Sequence, residues 1–218
     1  MVDNQHWLDR WKENRIGFHE SSINPHLQNW FPRLAPQPGG SVFLPLCGKA
    51  LDIQWVAQQG YDVIGVELSP IAVEAFFEEN QLPFERSQSD GFGVYQSSRI
   101  RLLQGDFFDL RAHHLEGCGL VYDRAALIAM NPSIRPRYYR HMLSIIPPTC
   151  NMLLVTLEYE QSEMSGPPFS VPAEEVRGGY SDAFTIGELD GADIIDQQPR
   201  WRNAGLSALR ESVFGLTR

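Results

Sequence analysis

The chain has 218 residues, 43% of them hydrophobic, and a formal net charge of −9. That length and apolar content suit one domain with a buried core, and the acidic balance argues against a broad basic face that neutralises nucleic-acid phosphates. Three cysteines, Cys47, Cys118 and Cys150, are odd in number and too widely spaced for a disulfide scaffold or a C-x-x-C metal site. The opening Met-Val-Asp-Asn-Gln-His lacks the basic and apolar parts of a secretory leader, and no stretch approaches the about 18 apolar residues of a membrane span. A cytoplasmic monomer with no nucleic-acid or membrane partner is expected.

Residues 5–14 read as a short amphipathic helix with Trp7, Leu8 and Trp11 on one face, broken at Gly17-Phe18-His19-Glu20. Asn24-Pro25 opens a second helix carrying Leu27, Trp30 and Phe31, with proline at its first position. Ala35 to Gly40 is a Pro/Gly connector too short to separate domains. The expectation is one domain over 1–218, with 1–40 as a helical cover and 41–218 as the core. From Ser41 the pattern alternates: a strand at Val42–Leu44, a helix at Ala50–Gln59 stopped by Gly60, a strand at Val63–Val66, and a helix capped by Ser69-Pro70 that runs to Asn80. Residues 81–98 are polar and glycine-containing, a loop or an excursion hairpin. Strands follow at Arg99–Leu103, Gly119–Tyr122 and Met152–Leu157, with a helix over Ser133–Ile146 before the last of them. Gly166-Pro167-Pro168-Phe169 is a stiff loop, and Phe184–Ile195 and Leu209–Leu216 read as a terminal antiparallel pair. Alternating strand and helix predicts an α/β fold on a mostly parallel sheet.

Two runs carry the chemistry. Val42-Phe43-Leu44-Pro45-Leu46-Cys47-Gly48-Lys49 and Val63-Ile64-Gly65-Val66-Glu67-Leu68-Ser69 each read as a buried strand that ends in a loop able to touch a ligand. A phosphate-binding Walker loop is excluded, because Phe43 stands where its first glycine belongs and Ala50 replaces its Ser/Thr; the dinucleotide pattern G-x-G-x-x-G is absent too. A cofactor with an adenosine but no phosphates fits better, S-adenosyl-L-methionine foremost. Glu67 either accepts from the two vicinal hydroxyls of a ribose or is a surface acid after a strand. Asp106 either accepts from an adenine amino group, with Phe107 against the ring, or caps a helical turn. Asp123-Arg124 follows a buried strand and is either an internal ion pair or, through Arg124, a planar fork for a carboxylate or an anionic substrate. Nothing near Cys47 in sequence lowers its thiol pKa, so it reads as structural. His113-His114 lacks both helical i,i+4 spacing and a third ligand, so no metal centre is expected.

With Trp7-x-x-x-Trp11, Gly17-Phe18-His19, Asp123-Arg124-Ala125-Ala126-Leu127 and Gly166-Pro167-Pro168-Phe169 added, these segments resemble the thiopurine S-methyltransferase family over nearly the whole chain. The Pro-Leu-Cys-Gly-Lys run is the most specific part, and the short N-terminus points to a bacterial member. The resemblance implies a class I S-adenosylmethionine-dependent methyltransferase: a Rossmann-like, mostly parallel seven-stranded sheet flanked by helices, with N-terminal helices covering the site. It places cofactor contacts on Trp11, Leu46, Glu67 and Arg124, with Asp106 and Phe107 near the adenine. It places Phe18 and Arg200 against the substrate, and Arg124 and Arg200 would favour an anionic acceptor. Asp106 stands where vertebrate members have serine. The implied reaction is methyl transfer to the sulfur of aromatic or heterocyclic thiols such as thiopurines; bacterial relatives are associated with selenium and tellurium compounds. The alternatives are a same-fold O- or N-methyltransferase, and a protein that binds S-adenosylmethionine without turnover.

Overall fold

The computed structural model describes residues 4–35, 37 and 39–218. Two helices come first, α1 (Asn4–Lys12) and α2 (Pro25–Leu34). The Asn24 side chain caps α2 by accepting the N–H groups of His26 at 2.9 Å and Leu27 at 3.4 Å, and Pro25 supplies a pre-set φ with no N–H to satisfy. The core then runs β1 (Ser41–Leu44), α3 (Leu51–Gln58), β2 (Asp62–Glu67), α4 (Pro70–Glu79), β3 (Glu85–Ser89), β4 (Phe92–Ser97), β5 (Ile100–Gln104), β6 (Cys118–Arg124), α5 (Arg135–Ile145), β7 (Asn151–Glu158), α6 (Ala173–Tyr180), β8 (Thr185–Asp193), α7 (Pro199–Asn203) and β9 (Arg210–Thr217).

The strands form one sheet in the order β3-β4-β5-β2-β1-β6-β7-β9-β8. Pairing is parallel from β5 through β2, β1 and β6 to β7, and antiparallel at both flanks. The expected count of seven strands is therefore corrected to nine, because residues 81–98 hold the hairpin β3–β4, which pairs onto β5. Asp90 and Gly91 make its turn with φ of +51° and +86°, the two left-handed residues of a tight two-residue hairpin connection. The inner strand β4 buries Phe92 and Tyr95, whereas β3 (Glu-Arg-Ser-Gln-Ser) is exposed along its whole length. A polar edge strand of this kind resists pairing with other chains and leaves no apolar alternation to read.

Helix α6 has no counterpart in the sequence expectation. A Cβ at Gly179 would stand 2.7 Å from the Tyr139 ring, so the small residue permits α6 to pack on α5. The fully buried Arg135 fastens the same region. Its guanidinium donates to the carbonyls of Met130 at 3.1 Å and Ser170 at 2.8 Å and pairs with Glu175 of α6 at 2.5 Å.

Alternation along the strands divides the core into two layers. Phe43, Ile64, Val121 and Leu154 face α5 and α6, while Val42, Leu44, Val63 and Leu153 face α2, α3 and α4. Strand order reverses at β1: the chain first builds outward through β2 and β5, then returns to lay β6 on the other side. Ligands of open α/β sheets bind outside the carboxyl ends of the strands at such a switch point.

Candidate active site

A cavity of about 770 Å³ opens at that edge. Its floor is made by the segments following β1, β2, β5 and β6, and its cover by α1, the loop 17–22, Pro167-Pro168 and α7. All eight residues singled out from the sequence, Trp11, Phe18, Leu46, Glu67, Asp106, Phe107, Arg124 and Arg200, line it.

Glu67 ends β2 with only 6% of its surface exposed. Its carboxylate accepts the backbone N–H of Gly48 at 2.9 Å and of Ser69 at 2.8 Å, one on each oxygen. Burial pushes its pKa up, and those amide donors oppose the shift. Each oxygen keeps a second lone pair, so two vicinal hydroxyls can be held without displacing either amide. The surface-acid alternative is thereby excluded.

The preceding loop is shaped by unusual backbone. Leu46 and Gly48 both adopt left-handed φ, +48° and +53°. Non-glycine residues in that region carry strain of about 1–3 kcal/mol, and such strain gathers at ligand sites. A Cβ on Gly48 would stand 3.1 Å from the Trp11 ring, so the glycine lets the cover helix close onto the loop. Cys47 points away into the core beside Gly65, where an added Cβ would meet its Sγ at 2.7 Å. Burial, and next the Glu67 charge, hold its thiol pKa well above the ordinary value.

Asp106 fills the capping role, and its second oxygen is taken by the cover helix. Oδ1 accepts the N–H of Phe108 at 2.8 Å, capping the 3-10 turn Phe107–Asp109, and Oδ2 accepts from the Asn4 side chain of α1 at 2.8 Å. The Phe107 ring, 5% exposed, stacks on Tyr138 at 4.8 Å on the core side, so one of its faces is already covered. Phe18 wedges between Trp7 and Trp11, edge-to-face at 5.6 Å from each, with the Arg10 guanidinium 5.4 Å over its ring.

Asp123 and Arg124 are not an ion pair, since neighbouring residues of β6 point to opposite faces. Asp123 goes down into the core, where it accepts from Tyr138 Oη at 2.7 Å and Leu127 N–H at 3.1 Å; burial raises its pKa to about 6. Arg124 goes up into the cavity and pairs with Glu20. Arg200 donates to the Gly17 carbonyl and lies 4.0 Å over the Trp201 ring, and burial lowers its pKa.

The sequence did not flag Glu20, Asp52 or Ala125 as cavity groups. Asp52 is 4% exposed, accepts the Asn24 N–H at 2.9 Å and has its pKa raised by burial. Ala125, at φ +69°, is a second strained wall residue with no sequence signal, because alanine does not announce a left-handed conformation. Glu20 was readable only as part of a helix break.

The donor set fits S-adenosylmethionine. A buried carboxylate has two acceptor positions in reserve, a loop approaches closely through Gly48, and a cavity of this volume takes a ligand of that size together with a small acceptor. Over residues 2–218 the sequence matches the family described as Thiopurine S-methyltransferase. The chain belongs to the thiopurine S-methyltransferase family. It is 49% identical over 212 residues to the thiopurine S-methyltransferase of Pseudomonas aeruginosa, covering 97% of each chain, and 45% identical over 212 residues to that of Nitrosospira multiformis, covering 97% of this chain and 96% of the relative. Among solved structures, the Burkholderia thailandensis 1,6-didemethyltoxoflavin-N1-methyltransferase superposes with a TM-score of 0.64 at 15% identity, covering 98% of this chain and 86% of that one. A S-adenosylmethionine-dependent methyltransferase from Anabaena variabilis superposes at 0.63 and 12%, covering 99% and 95%. The fold is that of class I S-adenosylmethionine-dependent methyltransferases, and this member of the thiopurine S-methyltransferase family is an enzyme that takes its methyl group from that cofactor. No helix among its described residues is long and apolar enough to cross a membrane.

Proposed function

We propose that the enzyme methylates the sulfur of small aromatic or heterocyclic thiols, thiopurines among them. The observation that carries this reading is the make-up of the cavity's outer part. Trp7, Phe18, Trp201 and Pro167-Pro168 offer flat apolar walls, and Arg10, Arg124 and Arg200 offer cations within the same space. A planar thiolate needs both. Aromatic thiols ionise readily, so the arginines favour the reactive anion without a dedicated base.

In this reading Glu67 holds the ribose hydroxyls, Leu46 and Trp11 pack on the cofactor, and Asp106 and Phe107 border the adenine. S-adenosylmethionine supplies an electrophilic methyl on its sulfonium. Arg124 holds a carboxylate after releasing Glu20, Arg200 and Phe18 orient the acceptor, and the aromatic cover of α1 and the loop 17–22 excludes water. Positioning of two small molecules in line supplies much of the acceleration. Selenolates and tellurium anions are soft nucleophiles of the same charge and belong in the acceptor range. The test is an acceptor screen with methyl-labelled cofactor, in which thiopurines, aromatic thiols and selenium and tellurium species are compared with catechols and amines. Transfer to catechols or amines alone would reject the assignment.

A further inference from the structure

Outside the cavity, Asp90, His113 and His114 converge at the tip of the β3–β4 hairpin. Asp90 begins the two-residue turn, and the histidines sit in the 3-10 turn Ala112–Leu115 between β5 and β6. One ligand atom from each residue lies within 4.8 Å of the other two. Asp90 Oδ2 is 3.2 Å from His113 Nε2 and 3.8 Å from His114 Nε2. Ligands about 2.0–2.1 Å from a tetrahedral zinc ion stand about 3.3 Å from one another, so Asp90 and His113 already have that spacing and small side-chain rotations close the rest.

His114 gives the independent sign. It is 7% exposed, and its Nε2 is buried with no hydrogen-bond partner although it faces the Asp90 carboxylate. A buried polar atom left unpaired costs about 1–3 kcal/mol and calls for a missing partner. Its Nδ1 accepts the Arg111 N–H at 2.9 Å and lies 3.2 Å from the Arg111 carbonyl. Ligation through Nε2 selects the tautomer with the proton on Nδ1, in which the carbonyl contact replaces the amide contact as the backbone support of the ring. Adjacent histidines cannot serve as ligands by sequence spacing alone; the third ligand comes from a turn 23 residues earlier than His113, brought in by the hairpin.

We propose that Asp90, His113 and His114 form a binding site for one divalent first-row transition cation of the zinc type, with water completing the coordination. Two imidazoles and one carboxylate favour such ions over magnesium or calcium, which prefer all-oxygen sites. The site shares no residue with the catalytic cavity. It borders it through Phe92, whose ring meets His114 edge-on at 5.2 Å and packs so closely on Gly105 that a Cβ there would be 2.6 Å away. A bound ion therefore fastens the hairpin to the segment that follows the Asp106 turn.

The test uses untagged protein stripped by a chelator and titrated with zinc chloride in a calorimeter. One equivalent should bind at micromolar concentration. Asp90→Asn and His113→Ala, both at exposed positions, should each weaken it roughly tenfold or more. Cobalt(II) should give the visible absorption of a low-coordinate ion, absent in both variants, and zinc should raise the melting temperature of the parent alone. Absence of stoichiometric binding, or binding and cobalt spectra unchanged in both variants, would overturn the proposal.

Discussion

Arg124, at the end of β6, reaches into the cavity and finds the carboxylate of Glu20 on the loop between α1 and α2. The cation is thus already engaged by the protein's own anion before a ligand arrives. Glu20→Gln should leave kcat unchanged and lower the KM for S-adenosylmethionine, whose carboxylate Arg124 would hold, roughly two- to fivefold, the range set by a partly exposed ion pair. Steady-state kinetics with varied cofactor at a fixed thiopurine concentration check this; a higher KM in the variant would mean that Glu20 aids binding rather than competing with it.

Glu67→Ala is expected to weaken S-adenosylhomocysteine binding by well over tenfold in calorimetry. Because alanine also orphans the amides of Gly48 and Ser69, Glu67→Gln is the sharper variant: it keeps one acceptor, retains the fold by circular dichroism, and still loses affinity. Unaltered affinity in both would remove Glu67 from the ribose.

Asp123 titrates near 6 in the folded protein against about 3.9 when unfolded. The folded state therefore holds more protons between those values, and stability from this group falls as pH rises through that window. Asp123→Asn should gain on the parent from about pH 4 to about pH 6 and level off above, by at most roughly 3 kcal/mol. Urea unfolding at a series of pH values reads the difference, and a flat difference would place the carboxyl's pKa at its ordinary value.

Cys47→Ala should retain methyl transfer within a few-fold, and the native protein should resist alkylation at this position, since its thiol is buried and held protonated. Peptide mapping after iodoacetamide treatment checks the second point. Gly65→Ala, by contrast, forces a Cβ to within 2.6 Å of Leu102 and 2.7 Å of the Cys47 sulfur, and should cost about 1–3 kcal/mol in stability.

The central strands were legible because β1, β2, β6 and β7 are short apolar runs bounded by turn residues, and α2 and α4 because Asn24-Pro25 and Ser69-Pro70 are strong caps. Glu67 was legible for the same reason: it is the acid that ends an apolar strand. β3 was legible only as one of two readings of residues 81–98, a loop or an excursion hairpin, since an exposed edge strand has no buried face to show in its composition, and α6 was not legible, since the packing of Tyr139 on Gly179 outweighs the poor helix propensity of two glycines. The opposite fates of Asp123 and Arg124 follow from strand alternation once β6 is known to extend to Arg124. The Glu20 contact and the Asp90 cluster are products of long-range topology, and no local pattern encodes them.

Arg135 has a consequence for how such an enzyme can change its diet. By tying Met130, Ser170 and Glu175 to one buried cation, it makes the wall containing Ile128–Met130 and the adjoining Pro167-Pro168 a single block, costly to reshape one residue at a time. The opposite wall, formed by Trp7, Arg10, Phe18 and Trp201, is held by ring edges and partly exposed guanidinium contacts, each small in energy. Drift in acceptor preference among relatives, and directed evolution toward new acceptors, should therefore accumulate on the aromatic side and spare the anchored one.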